Sequence, residues 1–257
     1  MSDVLYAAED GVALITLNRP KSLNAMNDSL VRGLLDAVGR AGADPEVRSV
    51  VLTGEGRAFC AGGDLSFLQS LTDPAMQSDF IAQVGRAALR LTEIPKPVIA
   101  MVQGTAAGAG VNLMLACDLI YASESARFTE AFAKVGLMPD CGGLYFLRRA
   151  VGLQRARELI YTGDIIDATQ AERWGLVTRI FPADELREKT FAMARRLASG
   201  APLALSAMKR YSGDESLSLR DVLRLEAEEQ PRLMRSRDCR EGIEAFYQKR
   251  APIFRGE

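Results

Sequence analysis

The sequence contains no histidine among its 257 residues. Histidine is the side chain whose ordinary pKa lies closest to neutral pH, and it is also the most frequent metal ligand in proteins. Catalysis by a Ser-His or Cys-His pair is therefore excluded, and no metal site is expected. Any proton transfer falls to a carboxylate, a lysine, a tyrosine or a cysteine.

Cysteine is scarce and charge is balanced. The four cysteines, Cys60, Cys117, Cys141 and Cys239, include no Cys-x-x-Cys pair, which argues against zinc and favours reduced thiols. A formal net charge of -1 supplies no excess of positive charge, so nucleic acid is not expected as a partner. Residues 1–11 lack the basic and apolar regions of an export signal, and we expect a cytoplasmic protein.

Long apolar runs are almost absent. Residues 97–117, PVIAMVQGTAAGAGVNLMLAC, carry no charge and are long enough to span a bilayer. Pro97, Gln103, Asn112 and three glycines instead favour a buried strand, a loop and a helix. No contact with a membrane is expected.

What the sequence does contain is an alternation of strand and helix patterns. β-Branched runs at 11–17 and 48–54 flank a segment with apolar residues at helical spacing, behind a cap at Asn27 or Asp28. The order recurs at 96–104, 110–117 and 118–123, which predicts an α/β fold with mostly parallel strands. The segment 175–181 is the last clear strand. Helices are predicted from Asp184 onward, with a break at Pro231.

Two glycine-rich junctions lie where predicted strands lead into helices. They read GRAFCAGGDL at 56–65 and QGTAAGAGVNL at 103–113. Main-chain N–H groups at such junctions can face a ligand and stabilise a negative charge, although small residues can also serve close packing alone. Neither stretch has the spacing of a P-loop or of a dinucleotide-binding loop.

Several ordered motifs resemble the enoyl-CoA hydratase/isomerase, or crotonase, superfamily. They are NRPKSLNAM at 18–26, the two glycine-rich junctions, GLMPDCGG at 136–143, and REGIEAFYQKRAPIF at 240–254. The resemblance implies a spiral of ββα repeats over residues 1–195 and a helical trimerisation region over 196–257. It also implies an acyl-CoA thioester substrate, no separate cofactor, and a homotrimer or a dimer of trimers.

The resemblance also implies roles for individual residues. The N–H groups of Ala61 and Ala109 would hold the thioester oxygen, and Ala109 replaces the usual glycine without removing the backbone donor. The coenzyme A path would be lined by Ala61 and by seven further residues, two of them from a neighbouring subunit: Leu23, Ala25, Gly62, Gly63, Asp64, Phe246 and Lys249. Asp64 is also expected to cap a helix.

The reaction depends on which carboxylates are present. Family hydratases use two glutamates, which align with Asn112 and Phe132 in this chain, so hydration of a double bond is disfavoured. Asp140 aligns with a catalytic acid of some isomerase branches, and the local sequence is similar to isomerases acting on ring enoyl-CoA esters in phenylacetate degradation. One carboxylate is enough to move a proton between C2 and C4 of an enoyl thioester.

Alternatives remain open at this point. Asp140 could be an ordinary turn residue that caps the following helix. Glu130 is a possible secondary acid or base, although a solvated or helix-capping role is favoured. The whole chain could be a hydratase or a catalytically silent acyl-CoA-binding protein. A dehalogenase is disfavoured because that branch needs a histidine base.

Overall fold

The computed structural model describes residues 2–257, and its strands form two sheets. The larger sheet has six strands in the order β1-β2-β3-β5-β7-β10, and the smaller has four in the order β4-β6-β8-β9. The strands are β1 (Val4–Glu9), β2 (Val12–Leu17), β3 (Ser49–Gly54), β4 (Ala58–Cys60), β5 (Val98–Val102), β6 (Thr105–Ala107), β7 (Leu119–Ser123), β8 (Arg127–Thr129), β9 (Ile165–Asp167) and β10 (Arg179–Phe181). Only β1 and β9 run antiparallel to their neighbours among the described strands, so the predicted α/β fold with mostly parallel strands is confirmed.

Helices cover the sheets and form the C-terminal third. They are α1 (Asp28–Ala43), α2 (Leu65–Ser70), α3 (Pro74–Glu93), α4 (Ala109–Leu115), α5 (Gly143–Val151), α6 (Leu153–Thr162), α7 (Ala168–Trp174), α8 (Leu186–Ala198), α9 (Pro202–Ser212), α10 (Leu219–Met234) and α11 (Arg237–Gln248). Short 3₁₀ helices occupy Pro20–Ser22 and Ala131–Val135. α1 begins where the sequence predicts, because the Asn27 side chain accepts a hydrogen bond from the Leu30 N–H at 2.9 Å.

The larger sheet is buried on both faces. Val50 and Leu52 of β3 belong to the main core, which α1 and α3 cover, whereas Val51 between them packs with Ala194 of α8 on the other face. Successive side chains of a strand point to opposite faces, so an unbroken apolar run such as SVVL suits a strand covered on both sides. The sequence pattern of β3 therefore follows from its central position.

Two predictions about the chain path need correction or addition. Pro231 does not break its helix, because α10 continues to Met234, and the interruption falls at Ser236, whose side chain caps α11. Strands β1, β4, β6, β8 and β9 are missing from the sequence prediction, and all of them except β1 have only three residues, too few to give a pattern. The uncharged stretch 97–117 contains β5, β6 and the whole of α4, and no helix within residues 2–257 could cross a bilayer.

The C-terminal helices leave the core after α8. The expected boundary after residue 195 falls inside α8, which packs on the larger sheet through Leu186, Ala194 and Ala198. Beyond it, the Lys209 ammonium of α9 contacts the Asp118 carboxylate at 2.7 Å and thereby ties α9 to the core. α10 has no buried residue within the single chain.

Candidate active site

The two glycine-rich junctions meet at the ends of β4 and β6. A side chain at Gly62, which has a φ of +91°, would bring its Cβ within 2.8 Å of the Ala107 carbonyl oxygen. A Cβ at Gly110 would lie 2.2 Å from the Cys60 carbonyl oxygen. Both distances are too short for any side chain, so the glycines are required for this backbone-to-backbone approach.

Both junctions leave main-chain N–H groups free at this meeting point. The loop after β4 is fixed by the hydrogen bonds from Met26 N–H to the Gly62 carbonyl at 2.7 Å and from Asp64 N–H to the Met26 carbonyl at 2.9 Å. Within residues 2–257, the N–H groups of Gly63 and Ala109 have no hydrogen-bond acceptor. Ala61, in contrast, donates its N–H to the Leu23 carbonyl oxygen at 3.0 Å. That hydrogen bond occupies the N–H donor that the family resemblance assigns to the thioester oxygen.

Asp64 performs the capping role predicted for it. Its carboxylate accepts hydrogen bonds from the N–H groups of Ser66 and Phe67 at the start of α2, and it forms an ion pair with Arg19 at 2.9 Å. Partial burial opposes ionisation, but the Arg19 guanidinium and the two N–H groups together lower the pKa of Asp64. Asp64 therefore stays ionised and is not suited to accept a proton near neutral pH.

Leu23 and Ala25 lie beside the same loop. Leu23 has a left-handed φ of +51°, and its carbonyl oxygen receives the Ala61 N–H. The Ala25 carbonyl oxygen accepts a hydrogen bond from Arg19 Nη1 at 2.5 Å. Arg19 thus links the chain before α1 to Asp64, and its role was not predicted from the sequence.

Asp140 lies next to α4 and its side chain is available for chemistry. Its carbonyl oxygen accepts the Gly143 N–H at 2.8 Å and Asn112 Nδ2 at 3.0 Å, so the turn is anchored through the main chain. Its side chain does not cap α5, which has Gly142 at the N-cap without a side-chain hydrogen bond. The Oδ1 atom is buried without a partner. Burial raises the pKa of Asp140 to about 6.

Apolar side chains lie near the second glycine-rich loop and near the start of α5. Phe132 is buried, and its ring lies 3.3 Å from the position that a Cβ on Gly108 would occupy. Phe146 of α5 is half-buried against the main core. Leu137, in the loop between the 3₁₀ helix and Asp140, is 52% exposed.

Glu130 is buried, which corrects the expectation of a solvated or helix-capping residue. Its exposed fraction is 1%, both carboxyl oxygens lack a hydrogen-bond partner, and it makes no capping hydrogen bond to the 3₁₀ helix that follows it. Burial and the nearby Asp140 charge raise the pKa of Glu130 to about 8. The carboxyl is therefore neutral over much of the physiological range.

Phe246 and Lys249 lie at the end of α11, apart from the loops described above. Phe246 is 79% exposed and lines a groove formed by α9, α10 and α11 together with residues such as Leu203 and Met208. Lys249 has a left-handed φ of +54° and ends the helix. Within one chain these two residues are not brought to Asp140 or to the glycine-rich loops. Their expected role in a neighbouring subunit stays a prediction.

Comparisons with known proteins agree with this geometry. The family model described as enoyl-CoA hydratase/isomerase matches residues 7–257. The chain is 39% identical to 1,2-epoxyphenylacetyl-CoA isomerase and 37% identical to 2,3-dehydroadipyl-CoA hydratase, both of Escherichia coli K12, over all of each chain. A crystal structure of enoyl-CoA hydratase from Bacillus anthracis superposes with a TM-score of 0.95 at 32% identity, covering 99% of this chain and 100% of that one. This chain therefore belongs to the enoyl-CoA hydratase/isomerase, or crotonase, family.

Proposed function

We propose that the protein is an isomerase that shifts the double bond of an enoyl-CoA thioester, with Asp140 moving the proton. The observation that carries this proposal is the Asp140 carboxyl, which has an unpartnered buried oxygen and a pKa raised to about 6. A carboxylate with a raised pKa is a stronger base than one in water and still ionises below neutral pH. The same group can return the proton to the other carbon.

Removal of a proton beside a thioester creates an enolate, whose oxygen needs fixed donors. The free N–H groups of Gly63 and Ala109 lie on the two loops that meet, and each such donor typically contributes about 3 to 4 kcal/mol to the transition state. Because the Ala61 N–H already donates to Leu23, we move the proposed first donor from Ala61 to Gly63. Ala109 remains the proposed second donor, since a methyl side chain leaves its N–H intact.

The side chains at the two hydratase positions support isomerisation over hydration. Asn112 cannot take a proton, is fully buried, and uses its amide to hold the Asp140 carbonyl oxygen. Phe132 offers no polar group at all. Glu130, the other carboxyl of the site, is enclosed in a space without room for a water molecule. The chain thus presents one carboxylate to a substrate where hydration would need two.

Coenzyme A is expected only as part of the substrate, and the path proposed for it runs along Leu23, Ala25 and the loop from Ala61 to Asp64. Phe246 and Lys249 would complete the path from a second subunit of a homotrimer or a dimer of trimers. α10 supports such an assembly because it has no buried residue and exposes Leu219 and Leu223. Apolar surface of this kind usually marks a contact with another chain.

Isotope exchange tests the proposal. The enzyme is incubated in deuterated water with a linear 3-enoyl-CoA, a linear 2-enoyl-CoA and a ring enoyl-CoA, and the products are analysed by mass spectrometry. We expect one deuterium at C2 or C4, and we expect Asp140→Asn to lower the rate by at least a thousandfold while the exposed-site control Asp164→Asn has no effect. Formation of a hydroxyacyl-CoA would instead indicate a hydratase. Absence of turnover and exchange would indicate a binding protein.

A further inference from the structure

The buried carboxyl of Glu130 is not explained by the proposed proton transfer. Its potential partners are engaged elsewhere, because the Thr129 hydroxyl donates to the Gly163 carbonyl oxygen at 2.8 Å and Lys134 Nζ donates to the same oxygen at 2.5 Å. Both Glu130 oxygens therefore lack a hydrogen bond. A buried carboxyl without partners costs free energy and calls for a physical explanation.

The space around Glu130 is apolar and dry. Apart from Thr129, the side chains that line it are Val111, Phe128, Leu147, Leu159, Ile166 and Leu176. The void among them is too small for a water molecule, so no solvent hydrogen bond can compensate the carboxyl. An ionised carboxylate would be strongly destabilised there, whereas a protonated carboxyl needs only one acceptor.

Asn112 offers that acceptor. Its side chain is close to Glu130 and by itself lowers the pKa of that carboxyl, but burial and the Asp140 charge, which both raise the pKa, outweigh this effect. Asn112 Oδ1 is buried without a partner. On its other side, Asn112 Nδ2 donates to the Asp140 carbonyl oxygen at 3.0 Å. The amide is also confined by Gly143, where a Cβ would lie 2.3 Å from Asn112 Nδ2. Asn112 therefore stands between two carboxyl-bearing residues with one of its ends unpaired.

We propose that Glu130 is a positioning residue for Asp140: its protonated carboxyl donates a hydrogen bond to Asn112 Oδ1, and Asn112 in turn holds the loop that carries Asp140. The two unpartnered groups then satisfy each other. An amide held at both ends has a fixed orientation, and its Nδ2–H is kept on the Asp140 carbonyl oxygen. The inference rests on the proposed isomerase function, because it assigns Glu130 a part in orienting that base.

The titratable groups near Glu130 set the pH range of this arrangement. Two titratable side chains in the loop before α5, Asp140 and Cys141, interact electrostatically with Glu130. The Cys141 thiol stays neutral because burial raises its pKa well above the ordinary value. Loss of the Glu130 proton leaves Asn112 Oδ1 facing a negative charge. Activity should therefore fall as the pH rises through about 8, in addition to its fall at low pH when Asp140 is protonated.

Substitutions of Glu130 test the inference through kcat, KM and pH. Glu130→Gln keeps a donor toward Asn112 and does not titrate, so we expect its kcat within about threefold of wild type and no alkaline decline. Glu130→Met fills the apolar space without a donor, and we expect kcat about tenfold lower with KM unchanged. In an Asn112→Leu background, Glu130→Met should cause no further loss, because the two residues act in series. An exposed control, Glu158→Met, should behave as wild type.

Several outcomes would overturn the inference. They are an equal loss of kcat in Glu130→Gln and Glu130→Met, a change confined to KM, an alkaline decline in activity that persists in Glu130→Gln, or additive losses in the double variant.

If the wild-type enzyme shows no exchange with any acyl-CoA, the isomerase proposal fails, and infrared spectroscopy then tests Glu130 separately. We expect a protonated-carboxyl band at pH 7 that is absent from Glu130→Gln. Lack of that band in the wild-type protein would refute the hydrogen bond, since an ionised carboxylate has no proton to donate.

Discussion

Replacing Glu130 by glutamine should stabilise the fold, by an amount that depends on pH. Glu130 is 1% exposed, and its pKa is raised from 4.5 to about 8, first by burial and then by the Asp140 charge. Below pH 4.5 the carboxyl is protonated in both the folded and the unfolded chain. Between pH 4.5 and 8 the unfolded chain releases this proton while the folded protein keeps it, so the wild-type stability falls as the pH rises. Glutamine removes that loss.

The size of the effect follows from the pKa difference. At 1.36 kcal/mol for each pH unit, Glu130→Gln should gain stability over the wild type as the pH rises. Relative to pH 4.5, the difference in free energy of unfolding should grow by about 3 kcal/mol at pH 7 and by about 4 kcal/mol above pH 8. Urea denaturation between pH 4.5 and 9 measures this difference. The control Glu158→Gln, at an exposed position, should show none of it. A difference that stays constant with pH would refute the assignment of Glu130 as a neutral buried acid.

Three further predictions concern the core, a helix surface and the pH dependence of catalysis. Lys209→Met should lower the free energy of unfolding by about 1 to 3 kcal/mol in urea titrations, because it removes the ammonium from the partly exposed Asp118 carboxylate and from the Leu91 and Lys96 carbonyl oxygens; an unchanged midpoint would contradict this. In α1, Gly39→Ala should raise the thermal midpoint by an amount that corresponds to about 1 kcal/mol, because the new Cβ would meet nothing within 4 Å beyond its own helix backbone. Gly33→Ala should not raise the midpoint, because its Cβ would lie 3.1 Å from Val4. For wild-type enzyme, kcat/KM of isomerisation should rise with pH through about 6 as Asp140 ionises; a flat profile there would exclude it as the base.

Much of the fold could be predicted because its signals are local. The strand at 49–54 and the helix at 28–43 show their periodicity within a few residues, and Asn27 caps that helix as its position suggests. Pro231 misled the prediction, since a proline close to the end of a helix removes one N–H donor without stopping the last turn. β9 was not predicted because its extended conformation depends on pairing with β8, which lies more than thirty residues earlier in the chain.

The site was only partly predictable, for a related reason. Asp140 was identified as a carboxylate that directly follows Pro139 and lies two residues before Gly142, and the two glycine-rich loops indicated a site formed by main-chain groups. The motif could not show that the Ala61 N–H is taken by Leu23 while the Gly63 N–H is free, because that depends on a hydrogen bond between distant segments. That hydrogen bond follows from the contact between residues 23–26 and 60–64. No pattern within a single sequence reveals such a contact.

The sequence by itself indicated the alternation of strands and helices, the absence of histidine chemistry and the backbone freedom of the two glycine-rich loops. These properties belong to residue types and to spacing along the chain. The tertiary structure alone decided which amides remain free, and it decided that Glu130 is enclosed in an apolar space beside Asn112. Burial and hydrogen-bond pairing depend on segments far apart in the chain, so the charge state of a carboxyl is settled only when those segments pack together.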